Sequence, residues 1–331
     1  MQDEFRKKAC AFLGAMALLG VLPGTWACAA EPVVERTRAY GLRLVGSGAA
    51  HKDVAQTYDL YLPAPKGKIP ADAPFFLFIH GGAWMAGSKE NGAPLLRAMA
   101  KQGFVCASMN YALAAPGKSG ACSFADMVKD VDLMVGRLPD LFQELGLKAK
   151  KIAIGGLSAG GHLSLLYAYD GANPSVMNLG LRHAVPIACV YSDCGPTDLA
   201  SKEFEIAGRA GQKEDPVRQT AWASVLSGGS PAETDPDVVR KRLARFSPVT
   251  LVTAKVPPTI ALYGETHKVK GTDVGTDGIV ARQNYDALTN SLTSVGAPFT
   301  AKLTKFPHCQ ALGRDPRLVP WLLKELRSHL R

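Results

Sequence analysis

The chain has 331 residues, of which 47% are hydrophobic and 20% are charged. An apolar fraction of this size supplies a large core and excludes a largely disordered chain. The net charge of +9 is dispersed rather than gathered in a basic run interleaved with aromatic residues, so it favours a solvated basic surface over nucleic-acid binding.

The first thirty residues are typical of a secretory signal peptide. A basic segment at residues 6–8 precedes an apolar run at 9–22, which is too short to span a membrane. Small residues follow, and they predict cleavage after Ala29 or Ala30. We therefore expect a secreted or periplasmic chain without a membrane-spanning segment. Cys28 leaves a lipid-anchored form as a weaker alternative.

After residue 30 the sequence alternates strand and helix patterns. Period-2 alternation predicts half-buried strands at 40–45 and 54–63, and an almost unbroken apolar run at 74–80 predicts a central strand covered on both faces. Further strands are predicted at 103–110, 151–155, 187–191 and 259–263, and helices at 94–102, 124–138, 159–169 and 279–294. Such alternation indicates a mostly parallel sheet with helices on both faces.

A long segment, 195–256, separates two of these strands. It carries helical patterns near 200–211, 216–227 and 235–244. We interpret it as a lid or a substrate-facing insertion within one domain that covers residues 31–331.

Residues 156–160 read Gly-Leu-Ser-Ala-Gly between a predicted strand and a predicted helix. In that setting the pattern Gly-x-Ser-x-Gly indicates a nucleophile elbow, a strained turn that exposes the hydroxyl of Ser158. Glycine is needed two positions before and two positions after Ser158, because a side chain at either position would collide with its neighbours. In a glycine-rich chain the pattern alone is weak, and a glycine turn with an ordinary serine is the alternative.

A second motif, His-Gly-Gly-Ala-Trp at residues 80–84, ends the predicted central strand. Sites in open α/β sheets form at the carboxyl ends of strands. Adjacent small residues let backbone N–H groups point at one spot, as an oxyanion hole requires. The preferred donors are Gly82 and Ala83, with Ala159 from the elbow. His80 is expected to brace this loop rather than to act as a base.

A base and an acid would complete the site. His308 follows a short strand near the C-terminus, which fits the chain order nucleophile, acid, histidine. His162, on the elbow helix, is expected to pack or to form a hydrogen bond. The acid should lie in a loop after residue 263, where Asp273 is preferred. Asp277, which a helix N-cap would also explain, and Glu265, nearest the strand end, are the alternatives.

Five cysteines remain once the predicted signal peptide is removed: Cys106, Cys122, Cys189, Cys194 and Cys309. The first and third fall in strand patterns and are expected in the core. If one disulfide forms, the pair Cys194 and Cys309 is favoured, because both follow strands at one end of the sheet. No Cys/His cluster has metal-ligand spacing, so a metal site is not expected.

Together these residues resemble the α/β-hydrolase superfamily, in particular the hormone-sensitive-lipase-like and bacterial acetyl- and feruloyl-esterase groups with a His-Gly-Gly-x-Trp loop. The matching segments run from about residue 55 to 310: Tyr58-Asp-Leu-Tyr-Leu-Pro, the motif at 80–84, Asn110-Tyr111, Asp130-Val131, residues 156–161, Gly228-Gly-Ser-Pro, Ser247-Pro-Val, Pro257-Pro258 and His308.

The resemblance implies a mostly parallel eight-stranded sheet and a Ser-His-acid triad that hydrolyses carboxylic esters without a cofactor. The chain departs from the family at His267, where an aspartate usually stands. The loop that contains His267, after the predicted strand at 259–263, is also longer than in the family. We expect an esterase for short-acyl or aromatic esters of a small molecule or polysaccharide. Arylformamidase-like or peptidase activity is one alternative, and an inactive binding protein on this scaffold is another.

Overall fold

The computed structural model describes residues 31–45, 52–114, 122–201, 216–233, 235–269, 272–275, 280 and 282–331. Its strands are β1 (Val33–Val45), β2 (Lys52–Leu62), β3 (Phe75–Ile79), β4 (Val105–Met109), β5 (Ile152–Leu157), β6 (Ile187–Asp193), β7 (Thr259–Gly264), β8 (Thr266–Val269), β9 (Thr272–Gly275) and β10 (Phe299–Thr304). Strands β8 and β9 form a separate antiparallel hairpin.

The other eight strands form one sheet in the order β1-β2-β4-β3-β5-β6-β7-β10. β2 is antiparallel to both of its neighbours, and all other neighbouring pairs are parallel. The predicted sheet is therefore confirmed. Its parallel strands end at one edge, where Ile79 pairs with Gly156 and Leu157 pairs with Asp193.

The helices cover both faces of the sheet. They are α1 (Ala93–Lys101), α2 (Phe124–Leu145), α3 (Ala159–Asp170), α4 (Pro174–Met177), α5 (Pro216–Leu226), α6 (Pro236–Ala244), α7 (Pro248–Leu251), α8 (Arg282–Ser294), α9 (Ala311–Arg314) and α10 (Leu318–Leu330), with a 3₁₀ helix at Lys89–Gly92. None of the described helices is long and apolar enough to cross a membrane. The predicted signal peptide lies outside the described residues.

Strand β3 is the centre of the core, because all five of its residues are buried. Successive strand residues point to opposite faces. Phe75, Leu77 and Ile79 accordingly pack in one cluster with the apolar sides of α2 and α3. Phe76 and Phe78 pack in a second cluster with α1 and α10. The prediction of a central strand covered on both faces is confirmed.

Helix α2 is longer than predicted and continues past Pro139 to Leu145. The predicted helix stops at residue 138, and the proline that follows removes a backbone hydrogen bond and costs about 3 kcal/mol inside a helix. The apolar stripe continues beyond it with Phe142 and Leu145, both buried. Burial of a large apolar side chain contributes about 1.5–3 kcal/mol, which offsets the proline. The helix ends at Gly146, whose φ is 69°.

The C-terminal end of the inserted segment is hydrogen-bonded to α3, the helix that follows the Gly-x-Ser-x-Gly turn. Helices α5 and α6 match two of the three predicted helices, and the third prediction lies mainly outside the described residues. The carbonyl of Phe246 accepts a hydrogen bond from His162 in α3. Ser247 Oγ accepts one from the amide of Leu199. These contacts fix both ends of the segment beside the sheet.

Glycine lets the turn after β5 lie against the end of β3. A Cβ atom on Gly156 would lie 2.3 Å from the carbonyl oxygen of Ile79, and one on Gly160 would lie 2.0 Å from the same oxygen. Both distances are far below van der Waals contact, and the atom they meet is backbone. The strand and the turn could not approach this closely with any other residue at either position.

We expect Gly160→Ala to destabilise the protein by about 3 kcal/mol, because the backbone atoms that it meets have little room to move. Gly171→Ala, at the other end of α3, is the matched control. A Cβ there meets no atom closer than 3.5 Å, and the φ of Gly171 is −57°. Urea unfolding of both variants measures the difference, and equal midpoints would contradict the close-approach argument.

Candidate active site

Ser158 occupies the predicted strained turn between β5 and α3. Its φ and ψ are 52° and −120°, a conformation that non-glycine residues rarely adopt. Its amide donates a hydrogen bond to the carbonyl of Asp193 at 2.7 Å, and its carbonyl accepts one from the amide of His162 at 3.0 Å. The hydroxyl does not cap the helix. The half-buried side chain is thus held by its backbone.

The loop after β3 packs directly against this turn. A Cβ on Gly81 would lie 3.3 Å from Ser158 Cβ. Gly82, Ala83 and Trp84 follow with φ values of 125°, 50° and 61°. Three successive residues with positive φ give a tight turn, which is closed by the bond from the Met85 amide to the Gly82 carbonyl.

The predicted oxyanion donors lie on the two segments that meet here. Gly82 and Ala83 belong to the turn after β3, and Ala159 is the first residue of α3. Within the described part of the chain, no hydrogen bond uses the amides of these three residues. The start of a helix also carries a partial positive charge. Donors of this kind are what a developing oxyanion needs.

His80 braces the loop after β3, as predicted. Its Nδ1–H donates to the carbonyl of Gly81 at 2.8 Å, and its ring stacks on Tyr111 with centroids 4.3 Å apart. The Tyr111 hydroxyl donates to the carbonyl of His80 at 3.2 Å. Burial lowers the pKa of His80 to about 4, so the imidazole is neutral near pH 7.

His162 ties the same loop to the elbow helix, a link that the sequence reasoning did not find. The indole N–H of Trp84 donates to His162 Nδ1 at 3.2 Å, and His162 Nε2–H donates to the Phe246 carbonyl at 2.8 Å. Burial lowers the pKa of His162 to about 4. The predicted packing and hydrogen-bonding part of His162 is therefore observed, with Trp84 as its partner. The sequence feature that could have indicated this link is Trp84, which directly follows the residues Gly-Gly-Ala.

The turn that carries His308 reaches the same end of the sheet. It follows β10, and the thiol of Cys309 donates to the carbonyl of Asp193 at 3.5 Å. That carbonyl also accepts the amide of Ser158. One backbone carbonyl therefore contacts both the elbow and the turn of the predicted base. His308 is half-buried.

The cysteines require two corrections to the sequence expectations. Cys194 and Cys309 are neighbours, as predicted, but none of the described cysteines forms a disulfide. The Cys309 thiol bonds the Asp193 carbonyl instead. The Cys309 thiol and burial together raise the pKa of the Cys194 thiol well above its ordinary value.

The second correction concerns metal ligands. The sequence spacing predicts no cluster, yet ligand atoms of Cys194, His308 and Cys309 all lie within 4.8 Å of one another. The sequence predicts that Cys194 and Cys309 lie near each other, but the spacing along the chain does not resemble a metal-ligand motif because the group joins the ends of two distant strands.

The segment that was predicted to be a loop carrying the triad acid is partly a β-hairpin in the structure. It contains the hairpin β8–β9, in which Asp273 pairs with Lys268 and His267 pairs with Val274. Glu265 precedes the hairpin, is exposed, and donates its amide to the carbonyl of Thr304 at 2.8 Å. Asp277 lies outside the described residues. Asp273 as the acid stays a prediction.

The chain is similar in sequence to known esterases. A family model named BD-FAE matches residues 58–272. Esterase LipQ of Mycobacterium tuberculosis is 30% identical over 200 residues, which cover 58% of this chain and 42% of LipQ. The chain spans less than half the length of the curated relatives it matches.

Solved structures share the fold. Esterase B of Lactobacillus rhamnosis, inhibited by a tributyrin phosphonate, superposes with a TM-score of 0.70 at 19% identity, covering 99% of this chain and 92% of esterase B. A truncated carbohydrate esterase from gut microbiota gives a TM-score of 0.63 at 18% identity, covering 92% of this chain and 98% of that chain. The α/β-hydrolase fold implied by the sequence resemblance is confirmed.

The two buried histidines predict a loss of stability in acid. In the unfolded chain a histidine has a pKa of about 6.5, whereas His80 and His162 have pKa values of about 4 when folded. Between these values the unfolded chain binds more protons, so stability falls as the pH falls. Lowering the pH from 7.5 to 5 should cost on the order of 2 kcal/mol for each histidine.

Urea unfolding at the two pH values measures this loss. His162→Gln keeps an N–H donor for the Phe246 carbonyl but does not titrate, so its pH dependence should be smaller by on the order of 2 kcal/mol. An unchanged pH dependence in His162→Gln would show that this imidazole does not contribute to acid sensitivity.

Proposed function

Because the chain belongs to the BD-FAE family, we propose that it is a carboxylic-ester hydrolase with Ser158 as nucleophile and His308 as general base. One observation carries this proposal. The strained turn of Ser158 packs against the glycine loop after β3 and shares the Asp193 carbonyl with the turn of His308. The three segments that carry the proposed nucleophile, oxyanion donors and base follow the carboxyl ends of strands in one sheet.

The reaction would follow the serine-hydrolase sequence. Ser158 Oγ attacks the ester carbonyl while His308 accepts its proton, because a neutral serine hydroxyl is a weak nucleophile. The amides of Gly82, Ala83 and Ala159 stabilise the tetrahedral oxyanion, and each such donor is worth about 3–4 kcal/mol. His308 then protonates the leaving alcohol. Water, activated by the same imidazole, hydrolyses the acyl-enzyme and regenerates Ser158.

The hydrogen bonds around the glycine loop support the oxyanion part of this proposal. Donors stabilise a transition state best when they are positioned before the reaction begins. The Trp84–His162 bond ties the loop to α3, and the His80–Tyr111 stack holds it from the other side. Both imidazoles are buried and stay neutral near pH 7 because their pKa values are about 4. Neither is therefore proposed as the general base.

Short-acyl or aromatic esters, carried by a small molecule or a polysaccharide, are the proposed substrates. Two similar structures support this choice. Esterase B is inhibited by a tributyrin phosphonate, which has short acyl chains, and the gut protein is named a carbohydrate esterase. The predicted signal peptide would bring the chain to extracellular polysaccharide.

Ser158→Ala should lower kcat for p-nitrophenyl butyrate by at least about 10⁴-fold, because nothing else supplies the attacking oxygen. A fluorophosphonate should label the wild type and fail to label this variant. Ser164→Ala is the matched control, since its hydroxyl bonds the Gly160 carbonyl within the same helix. It should keep both activity and labelling.

The other outcomes separate the rival functions. Faster hydrolysis of an aryl formamide than of any ester would assign the site to amide chemistry. A wild-type protein with neither turnover nor labelling would be a binding protein on a hydrolase scaffold.

Asp273→Asn should lower kcat by about 10⁴-fold, because the acid orients the imidazole and stabilises its charged form. Asp277→Asn and Glu265→Gln serve as the comparisons and should change kcat little. If Asp273→Asn stays active and one of the other two variants loses most of its activity, the residue changed in that variant is the triad acid. Circular dichroism and urea midpoints check that all three variants fold.

A further inference from the structure

Three side chains with metal-binding chemistry meet at the end of the sheet. They are the thiols of Cys194 and Cys309 and the imidazole of His308, and one ligand atom from each lies within 4.8 Å of the other two. We call this group the Cys₂His cluster. It forms because the ends of β6 and β10 lie at the same edge of the sheet, with only β7 between them.

The backbone holds the members of the Cys₂His cluster in place. The amide of Cys194 donates to the carbonyl of Leu262 in β7 at 2.8 Å. The thiol of Cys309 bonds the Asp193 carbonyl. Cys194 and Cys309 have φ values of 52° and 53°, which non-glycine residues adopt only where the surroundings impose them. Ligands held by the fold need little reorganisation when an ion binds.

Two thiolates and one imidazole select the kind of ion. Sulfur and nitrogen ligands suit zinc and softer ions, whereas magnesium and calcium need oxygen ligands. With Zn–S and Zn–N bonds of about 2.3 and 2.0 Å, tetrahedral ligand atoms lie roughly 3.5–4 Å apart. Small side-chain rotations would therefore bring the cluster to bonding geometry. Cys194 is buried, while His308 and Cys309 are half-buried, so part of the cluster is accessible from solvent.

We propose that the Cys₂His cluster binds a Zn²⁺-like ion and that the bound ion switches off ester hydrolysis, an effect that rests on the proposed role of His308. On binding, the two thiols lose their protons to solvent, and the ion exchanges water ligands for two thiolate sulfurs and an imidazole nitrogen. No oxidation state changes. The imidazole bound to the ion can no longer accept the Ser158 proton, and a chelator reverses the block.

Cobalt is the direct probe, because Co²⁺ bound to thiolates absorbs strongly in the near ultraviolet. Titration of the full chain, kept reduced by a phosphine, should give this band at one Co²⁺ per chain, and Zn²⁺ should displace the cobalt. Cys194→Ser and Cys309→Ser should each weaken binding at least about 10-fold. Cys122→Ser, outside the cluster, is the matched control and should bind as the wild type does.

A second measurement follows the effect on hydrolysis of p-nitrophenyl butyrate. Micromolar Zn²⁺ should inhibit the wild type and Cys122→Ser, and EDTA should restore both. The double variant Cys194→Ser/Cys309→Ser, compared with its own metal-free rate, should resist the same Zn²⁺. A cobalt band in a protein without esterase activity would support the site and refute the proposed function. No band, or a band that persists in the double variant, would overturn the site.

Discussion

The close contact between the end of β3 and the turn after β5 is the constraint on which the rest of the structure depends. Gly156 and Gly160 have no Cβ, so the carbonyl of Ile79 can lie where a side chain would otherwise stand. The next residues along the chain are the glycine loop on one side and Ser158 on the other. Because their supporting strands are in register, the loop and the elbow meet without any flexible linker.

The same edge of the sheet gathers the remaining parts through backbone contacts. The Asp193 carbonyl contacts both the elbow amide and the thiol next to His308. Side-chain bonds add the cross-links, because Trp84 joins His162 and His162 joins the inserted segment. Each of these segments is therefore linked by at least one hydrogen bond to another. Under the proposed function this coupling would keep the oxyanion donors in position, since loose donors would lose energy to reorganisation as charge develops.

The sequence predicts those parts of the fold that depend on residues adjacent in the chain. An unbroken apolar run predicts the buried β3, and the Gly-x-Ser-x-Gly pattern predicts the strained backbone of Ser158, because each depends on adjacent residues. The Trp84–His162 bond joins positions 78 residues apart, so no local pattern contains it. For Cys194 and Cys309 the order of the strands predicts proximity, but it does not predict that they form a metal-ligand group with His308.

In two other places the structure differs from the prediction although the residues responsible are close in sequence. Proline predicts the end of a helix, but the burial of the residues after Pro139 in α2 offsets its cost. The segment after β7 carries glycine and polar residues typical of a loop, yet it pairs with itself as the hairpin β8–β9. Three carboxylates lie in or beside that segment, and no sequence spacing distinguishes a triad acid from a helix cap. The acid is therefore the least predictable part of the site.

Backbone strain is concentrated at this edge of the sheet. Within the described residues, eight non-glycine residues have positive φ, and five of them follow the carboxyl ends of β3, β5, β6 and β10: Ala83, Trp84, Ser158, Cys194 and Cys309. Each such residue costs about 1–3 kcal/mol, and strain of this kind persists only where the surroundings impose it. Here the paired strands, the glycine contacts and the buried imidazoles supply that constraint. The strained turns thus place the loop after β3, the turn of Ser158 and the group formed by Cys194, His308 and Cys309 at the carboxyl ends of strands in one sheet.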